Sequence, residues 1–201
     1  MFIVGLTGSL GTGKTTVAHF LETLGAKVLD ADRMVHQFLE PKGECFEPVV
    51  KEFGEGILTQ GKIDRKKIAS IVFQDAFKLG RLTGIIHPVV RERMNDQIDE
   101  YRKKKIEGVV VLNVPLLFEA VFDSIVDATM VVFTDEGKQL ERVTEYLKLT
   151  REEALRRIKA QMPLQEKVRL ADFIIDNNGT KQQTQKQVME IWQKLQQKTN
   201  T

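Results

Sequence analysis

The residues with the clearest chemistry are Gly8-Ser9-Leu10-Gly11-Thr12-Gly13-Lys14-Thr15, which spell G-x-x-x-x-G-K-[ST] in full. Glycines let such a loop curl until successive backbone N–H groups point inward at phosphate oxygens. The helix that follows adds partial positive charge at its N-terminus. In this pattern Lys14 supplies a point charge to the β- and γ-phosphates, and the Thr15 hydroxyl is an oxygen ligand for Mg²⁺. The chain is therefore expected to bind a nucleoside triphosphate.

Further groups suggest what the triphosphate is used for. Asp30-Ala31-Asp32 closes a second apolar run, and the carboxyl ends of strands line the ligand crevice of an open α/β sheet. One aspartate there, Asp32 above all, either accepts a proton from a hydroxyl nucleophile or holds Mg²⁺ through water; a helix cap is the other reading for one of the two. Asn113-Val114-Pro115-Leu116-Leu117-Phe118-Glu119 closes a third run. An acidic residue at that point is the usual second Mg²⁺ handle, so Asn113 leaves the handle missing or displaced to Glu119. Arg142, Arg151, Arg156, Arg157, Lys159 and Lys167 form a basic cluster. A mobile arginine lid stabilises charge on a transferring phosphoryl group, while most of these side chains are expected on a solvated helix face. His19 reads as a packing residue of the first helix, and His36 is neutral between roles. His87 precedes Pro88 at the expected start of a long helix that ends in the charge run 102–105. No histidine pair has metal-ligand spacing.

These groups need elements to position them. Five apolar runs, Phe2–Leu6, Lys27–Asp30, Val109–Val114, Thr129–Phe133 and Phe173–Asp176, read as strands buried on both faces. Thr15–Leu24 is helical and stops at Gly25. Thr150 with Glu153 spells a capping box, Asp135 is placed to cap the helix carrying Gln139 and Arg142, and Pro163 opens another helix. A terminal helix within 180–201 carries Val188, Ile191, Trp192 and Leu195 and frays at its tip. Seventy-eight mostly helical residues separate Asp30 from Val109, more than one crossover needs. They predict an inserted helical lobe at 31–107, and 135–170 is a second helical excursion. The expected fold class is α/β, a five-stranded parallel sheet flanked by helices with an inserted lobe and a lid.

Composition limits the alternatives. In 201 residues, 42% apolar and 29% charged, there is room for one α/β domain with a substantial core. Thirty basic against 28 acidic residues leaves +2, which argues against a dedicated nucleic-acid binder. A single cysteine, Cys45, excludes an intramolecular disulfide framework. No charged leader precedes an apolar run, and 108–118 is too short to span a bilayer, so a cytoplasmic, soluble chain with no membrane partner is expected.

The residues together resemble the dephospho-coenzyme A kinase family. The likeness runs through Val4-Gly5-Leu6-Thr7-Gly8, Val28-Leu29-Asp30-Ala31-Asp32, Phe53-Gly54, Gly61-Lys62-Ile63-Asp64-Arg65, Ile86-His87-Pro88 and Val114-Pro115-Leu116-Leu117-Phe118-Glu119. It continues through Gln139-Leu140-Glu141-Arg142, Gln161-Met162-Pro163 with Glu166-Lys167, and 171–179. The resemblance implies transfer of the ATP γ-phosphoryl group to the 3′-hydroxyl of dephospho-coenzyme A, with Mg²⁺ and no obligatory protein partner. It implies a nucleotide-binding core at 1–30, 108–134 and 171–201, a coenzyme-A-binding lobe at 31–107 and a lid at 135–170. On this chain the family's phosphate loop falls on Gly8–Thr16, with Gly8, Gly11, Thr12, Gly13, Lys14, Thr15 and Thr16 against the nucleotide. The catalytic base falls on Asp32 and the lid arginine on Arg142, with His87, Pro88, Leu116, Leu117 and Glu119 toward the acceptor. Two positions depart from the family pattern: Asn113 stands for a usual aspartate, and Tyr146 for a second arginine common in many members. A different small-molecule P-loop kinase is the nearest alternative. A GTP-binding switch is the other: Asp176-Asn177-Asn178-Gly179 spells D-x-x-G, but it falls late in the chain, no N-K-x-D motif accompanies it, and a turn explains it better.

Overall fold

The computed structural model describes residues 1–199. Five strands, β1 (Phe2–Thr7), β2 (Lys27–Asp30), β5 (Val109–Asn113), β6 (Ala128–Phe133) and β7 (Phe173–Asp176), form one sheet in the order β2-β5-β1-β6-β7. Every pairing is parallel, with Leu6 beside Asn113 and Asn113 in turn beside Asp30. The central strands β1, β5 and β6 are buried almost throughout, as expected of strands covered by helices on both faces. The edge strands correct that expectation. Lys27, Ile174 and Asp176 are exposed; Ile174 and Asp176, two residues apart, share one face of β7 that is left uncovered.

Helix α1 (Lys14–Thr23) follows β1, and Gly25 stops it with φ +107°. Its inner face, Val17, Ala18, Phe20 and Leu21, joins Val188, Ile191, Trp192 and Leu195 of the terminal helix α9 (Lys181–Thr199) in the main core. The expected fraying of the tip at 200–201 lies outside the described residues. His19 is not a packing residue. It is exposed, 3.9 Å from Glu22, because the core-facing positions of α1 fall on either side of it.

After β6 come α6 (Glu136–Leu147), α7 (Arg151–Lys159) and α8 (Leu164–Leu170). The Thr150–Glu153 capping box forms with both its bonds. Asp135 occupies the N-cap of α6 but its side chain makes no cap bond; its backbone N–H is held by Asn178 Oδ1 instead. Pro163 stands at the N-cap of α8, just outside the helix.

Chain contacts define two units, Met1–Asp30 with Tyr101–Thr201, and Ala31–Glu100. The second unit contains α2 (Ala31–Phe38), α3 (Phe46–Phe53), a short hairpin of β3 (Leu58–Thr59) and β4 (Lys62–Ile63), α4 (Arg65–Val72) and most of α5 (Ala76–Lys103). The hairpin has no signal in the sequence, since two strands of two residues around Gln60-Gly61 are too short to show a period. His87 and Pro88 do not start α5 but lie in its interior. Proline there removes one i→i−4 bond, but four buried side chains spread from Ile86 to Ile98 hold the helix continuous.

Candidate active site

The phosphate loop leaves β1 and closes on α1 without a side-chain cap, since Gly13 is the N-cap residue and has φ +90°. A Cβ on Gly13 would lie 2.1 Å from Asn177 Nδ2, and one on Gly8 would lie 2.8 Å from the Val132 carbonyl oxygen. Glycine is required at Gly8 by that backbone contact and is favoured at Gly13 by its left-handed backbone. The Thr16 and Val17 N–H groups bond the Gly13 carbonyl at 3.0 and 3.3 Å and start the helix. Thr15 is exposed in the first turn of α1. Thr12 departs from its expected place against the nucleotide. It is fully buried, and both its N–H and its hydroxyl bond the Ser9 carbonyl, at 3.2 and 2.9 Å, so it braces the loop from within.

At the carboxyl ends of β1, β5 and β2, Lys14 Nζ donates to Asn113 Oδ1 at 2.8 Å, and Asn113 Nδ2 donates to Asp30 Oδ2. Asn113 is 1% exposed. An ammonium only donates and a carboxylate only accepts, so a buried amide between them satisfies both in one orientation. A carboxylate at this position would meet Lys14 well but would confront Asp30 with like charge. Asp32 is the second residue of α2, solvent-exposed in the first turn of that helix. A carboxylate there is favoured by the helix dipole.

Arg142 projects from α6 onto the loop. Its Nη2 donates to the Asn177 carbonyl at 3.0 Å, while Nη1 is buried without a hydrogen-bond partner, 3.8 Å from where a Cβ of Gly13 would stand. Of the other basic residues, Arg151, Arg156 and Lys159 lie on the expected solvated face, and Arg156 pairs with Glu152 at 3.1 Å. Tyr146, where a second arginine was expected by resemblance, is 77% exposed one turn beyond Arg142.

Lys167 is the exception to the solvated face. It is fully buried, and its ammonium bonds Glu119 Oε1 at 2.8 Å and the Pro115 carbonyl at 2.7 Å. Burial pushes its pKa below the usual lysine value, opposed by the bond and the charge of Glu119. Glu119 Oε1 also accepts the Met162 N–H at 2.9 Å, and Oε2 is buried with no hydrogen-bond partner. Glu119 is thus tied to a lysine rather than standing in for the Asn113 carboxylate. Leu117, expected toward the acceptor, is fully buried with its methyls 2.8–2.9 Å from where a Cβ of Gly5 would stand, and it serves packing. Leu116 remains half-exposed in the same loop.

Three side-chain amides, which the sequence marks only through the family resemblance, brace the phosphate loop. Gln139 Nε2 donates to the Leu10 carbonyl at 2.7 Å. Gln161 Oε1 accepts from the Ser9 hydroxyl at 2.8 Å and the Leu10 N–H at 3.0 Å. Asn177 Nδ2 donates to the Thr12 carbonyl at 2.7 Å. Asn177 belongs to the D-x-x-G spelling read as a turn, and it braces the phosphate loop in place of contacting a guanine nucleotide's switch machinery. Nothing in local spacing marks these residues, because each meets the loop from more than 120 positions away.

Among the described residues no helix is long and apolar enough to cross a membrane, and no group of three His, Cys, Asp or Glu side chains is placed to hold a metal. The family model described as dephospho-CoA kinase matches residues 2–183. A dephospho-CoA kinase of Carboxydothermus hydrogenoformans is 44% identical over 193 residues, covering 96% of this chain and 93% of that protein. Another, of Shouchella clausii, is 43% identical over 186 residues, covering 92% and 94%. The solved dephospho-CoA kinase of Campylobacter jejuni is 26% identical, covers 98% of both chains and superposes with a TM-score of 0.70. With this likeness sustained from the phosphate loop to α9, the chain belongs to the dephospho-CoA kinase family.

Proposed function

We propose that this kinase transfers the γ-phosphoryl group of ATP to the 3′-hydroxyl of dephospho-coenzyme A, giving coenzyme A and ADP. The observation that carries the reading is the chain Lys14–Asn113–Asp30 at the mouth of the phosphate loop, in a protein of this family. The backbone N–H groups of the loop and the uncapped start of α1 receive the triphosphate, and Lys14 follows charge toward the β- and γ-oxygens. The acceptor oxygen forms a bond to the γ-phosphorus while the bond to the β,γ-bridging oxygen breaks, and ADP departs. The hydroxyl proton passes to the Asp32 carboxylate. Arg142, with Nη1 uncommitted, meets the charge of the transferring group.

The donor set fits Mg²⁺ held mainly by phosphate oxygens and water. Thr15, exposed at the start of α1, would offer its hydroxyl as a hard-oxygen ligand, and no all-protein cage stands among the described residues. When bound, the ion neutralises charge between the phosphates. The unit Ala31–Glu100, with His87 and Pro88 in α5, is assigned to the acceptor, together with Leu116 and Glu119, and 135–170 to the lid. A cytoplasmic location belongs to the same reading.

The test is ADP release from Mg-ATP with a panel of dephospho-coenzyme A, adenosine, AMP, CMP and pantothenate. Selective stimulation by dephospho-coenzyme A is the expected result. Stimulation by another member alone moves the enzyme to a different small-molecule kinase activity.

A further inference from the structure

Helix α6 carries Arg142, and it is fastened to the phosphate loop one turn before that residue. Gln139 is 3% exposed, and its amide donates to the Leu10 carbonyl at 2.7 Å. The two elements approach so closely that a Cβ on Gly11 would lie 2.5 Å from Val143 Cγ2 and 2.8 Å from the Gln139 carbonyl oxygen. Leu10 packs beneath the helices against Leu140, Val143 and Ala154. The Leu10 N–H is taken by Gln161, so both polar groups of that residue are held by side-chain amides. On the other side of the loop, Asn177 joins Thr12 to Arg142: its Nδ2 holds the Thr12 carbonyl, and its own carbonyl accepts Arg142 Nη2.

We propose that Gln139 is a positioning residue, docking α6 on the phosphate loop so that Arg142 is held beside Gly13. With Nη2 anchored, Nη1 is buried beside Gly13 without a hydrogen-bond partner, oriented for a phosphate oxygen. A buried donor left unmade is costly, and a triphosphate oxygen relieves that cost. Loop and helix share these bonds, and losing them adds to the ordering that binding must supply. The inference rests on the proposed kinase reaction for its catalytic part and on the phosphate loop alone for its binding part.

A double-mutant cycle tests it. Gln139→Met keeps the side-chain length and loses the amide donor; Arg142→Ala removes the guanidinium. Gln139→Met is expected to raise the ATP dissociation constant about five-fold without acceptor present, and to lower kcat about ten-fold. KM for dephospho-coenzyme A stays within about two-fold. On an Arg142→Ala background, Gln139→Met adds less than about two-fold to either loss, since its effect passes through the arginine. Should the methionine variant not fold, Gln139→Asn leaves room for a water between its shorter amide and Leu10, and is expected to give a smaller loss that vanishes on the same background. Additive losses, or wild-type ATP affinity and kcat in the single variant, overturn the proposal. Wild-type transfer to dephospho-coenzyme A is measured beside them: failure there strikes the proposed function, while the ATP-binding cycle still decides the role of Gln139.

Discussion

Lys167→Met is the most informative perturbation of stability. The substitution keeps an unbranched side chain of similar length and removes a fully buried ammonium, together with its bonds to Glu119 at 2.8 Å and Pro115 at 2.7 Å. Removing one member of a buried ion pair costs about 3–5 kcal/mol, because the partner charge is left uncompensated. Two details set the place within that range. Glu119 Oε2 already lacks a hydrogen-bond partner, which makes its carboxylate more dependent on the lysine. The Pro115 carbonyl keeps the Thr7 hydroxyl at 3.0 Å, so that acceptor is not orphaned. A loss of about 3–4 kcal/mol follows. At about 2–4 °C per kcal/mol for a chain of this size, Tm falls by roughly 6–16 °C. Adding Glu119→Leu to the variant removes the stranded carboxylate and is expected to restore most of the loss, since apolar replacement of a whole buried pair is often neutral.

The pH dependence has a definite sign. Burial lowers the Lys167 pKa from 10.5, so between its folded value and 10.5 the unfolded chain binds more protons than the folded one. Wild-type stability therefore gains a contribution as pH rises through that window, and Lys167→Met lacks it. Urea unfolding of both proteins from pH 7 upward isolates the contribution as a difference. A Tm within about 2 °C of wild type, or a double variant no more stable than the single one, refutes the reasoning.

Four catalytic perturbations accompany it. Lys14→Ala is expected to lower kcat by roughly 10² or more, about 2.7 kcal/mol at the transition state, in a protein that still folds cooperatively; near-normal turnover contradicts this. Arg142→Ala should reduce kcat more than dephospho-coenzyme A binding, and an intact kcat with a raised KM would assign the guanidinium to ground-state binding. Asp32→Asn should lower single-turnover transfer by about 10²–10⁴, toward the lower end because a loose transition state asks little of its nucleophile; ATP affinity stays within a few-fold, and wild-type transfer removes Asp32 as the base. Asn113→Asp sets a carboxylate against Asp30, a repulsion that a cation relieves, so less Mg²⁺ should give half-maximal turnover; an unchanged Mg²⁺ titration leaves Asn113 as a hydrogen-bonding group alone.

Much of the fold was legible because its signals are local. Unbroken apolar runs such as Val109–Leu112 occur where helices cover both faces of a strand, and Thr150 with Glu153 caps a helix through bonds spanning three residues. The phosphate loop was legible for the same reason: eight consecutive residues carry its glycines, lysine and threonine, and the loop's curl is a property of that backbone. Family membership was legible from motifs spread along the chain, each short and contiguous.

What only the tertiary structure decided is which side chains meet across the sheet. Lys167 sits among lysines and arginines of a helical excursion, and nothing in that run separates the one buried cation from its exposed neighbours. Asn113 reads as a missing carboxylate until Lys14 and Asp30 are seen on its two ends, from strands and a helix 99 and 83 residues away. Gln139, Gln161 and Asn177 are ordinary polar residues in sequence, and they become braces of the phosphate loop because parallel strands bring distant chain segments to one edge of the sheet. A hydrogen bond is set by distance and direction within about 3 Å. Sequence records composition and local period, and only the closed sheet turns separations of more than a hundred residues into such distances.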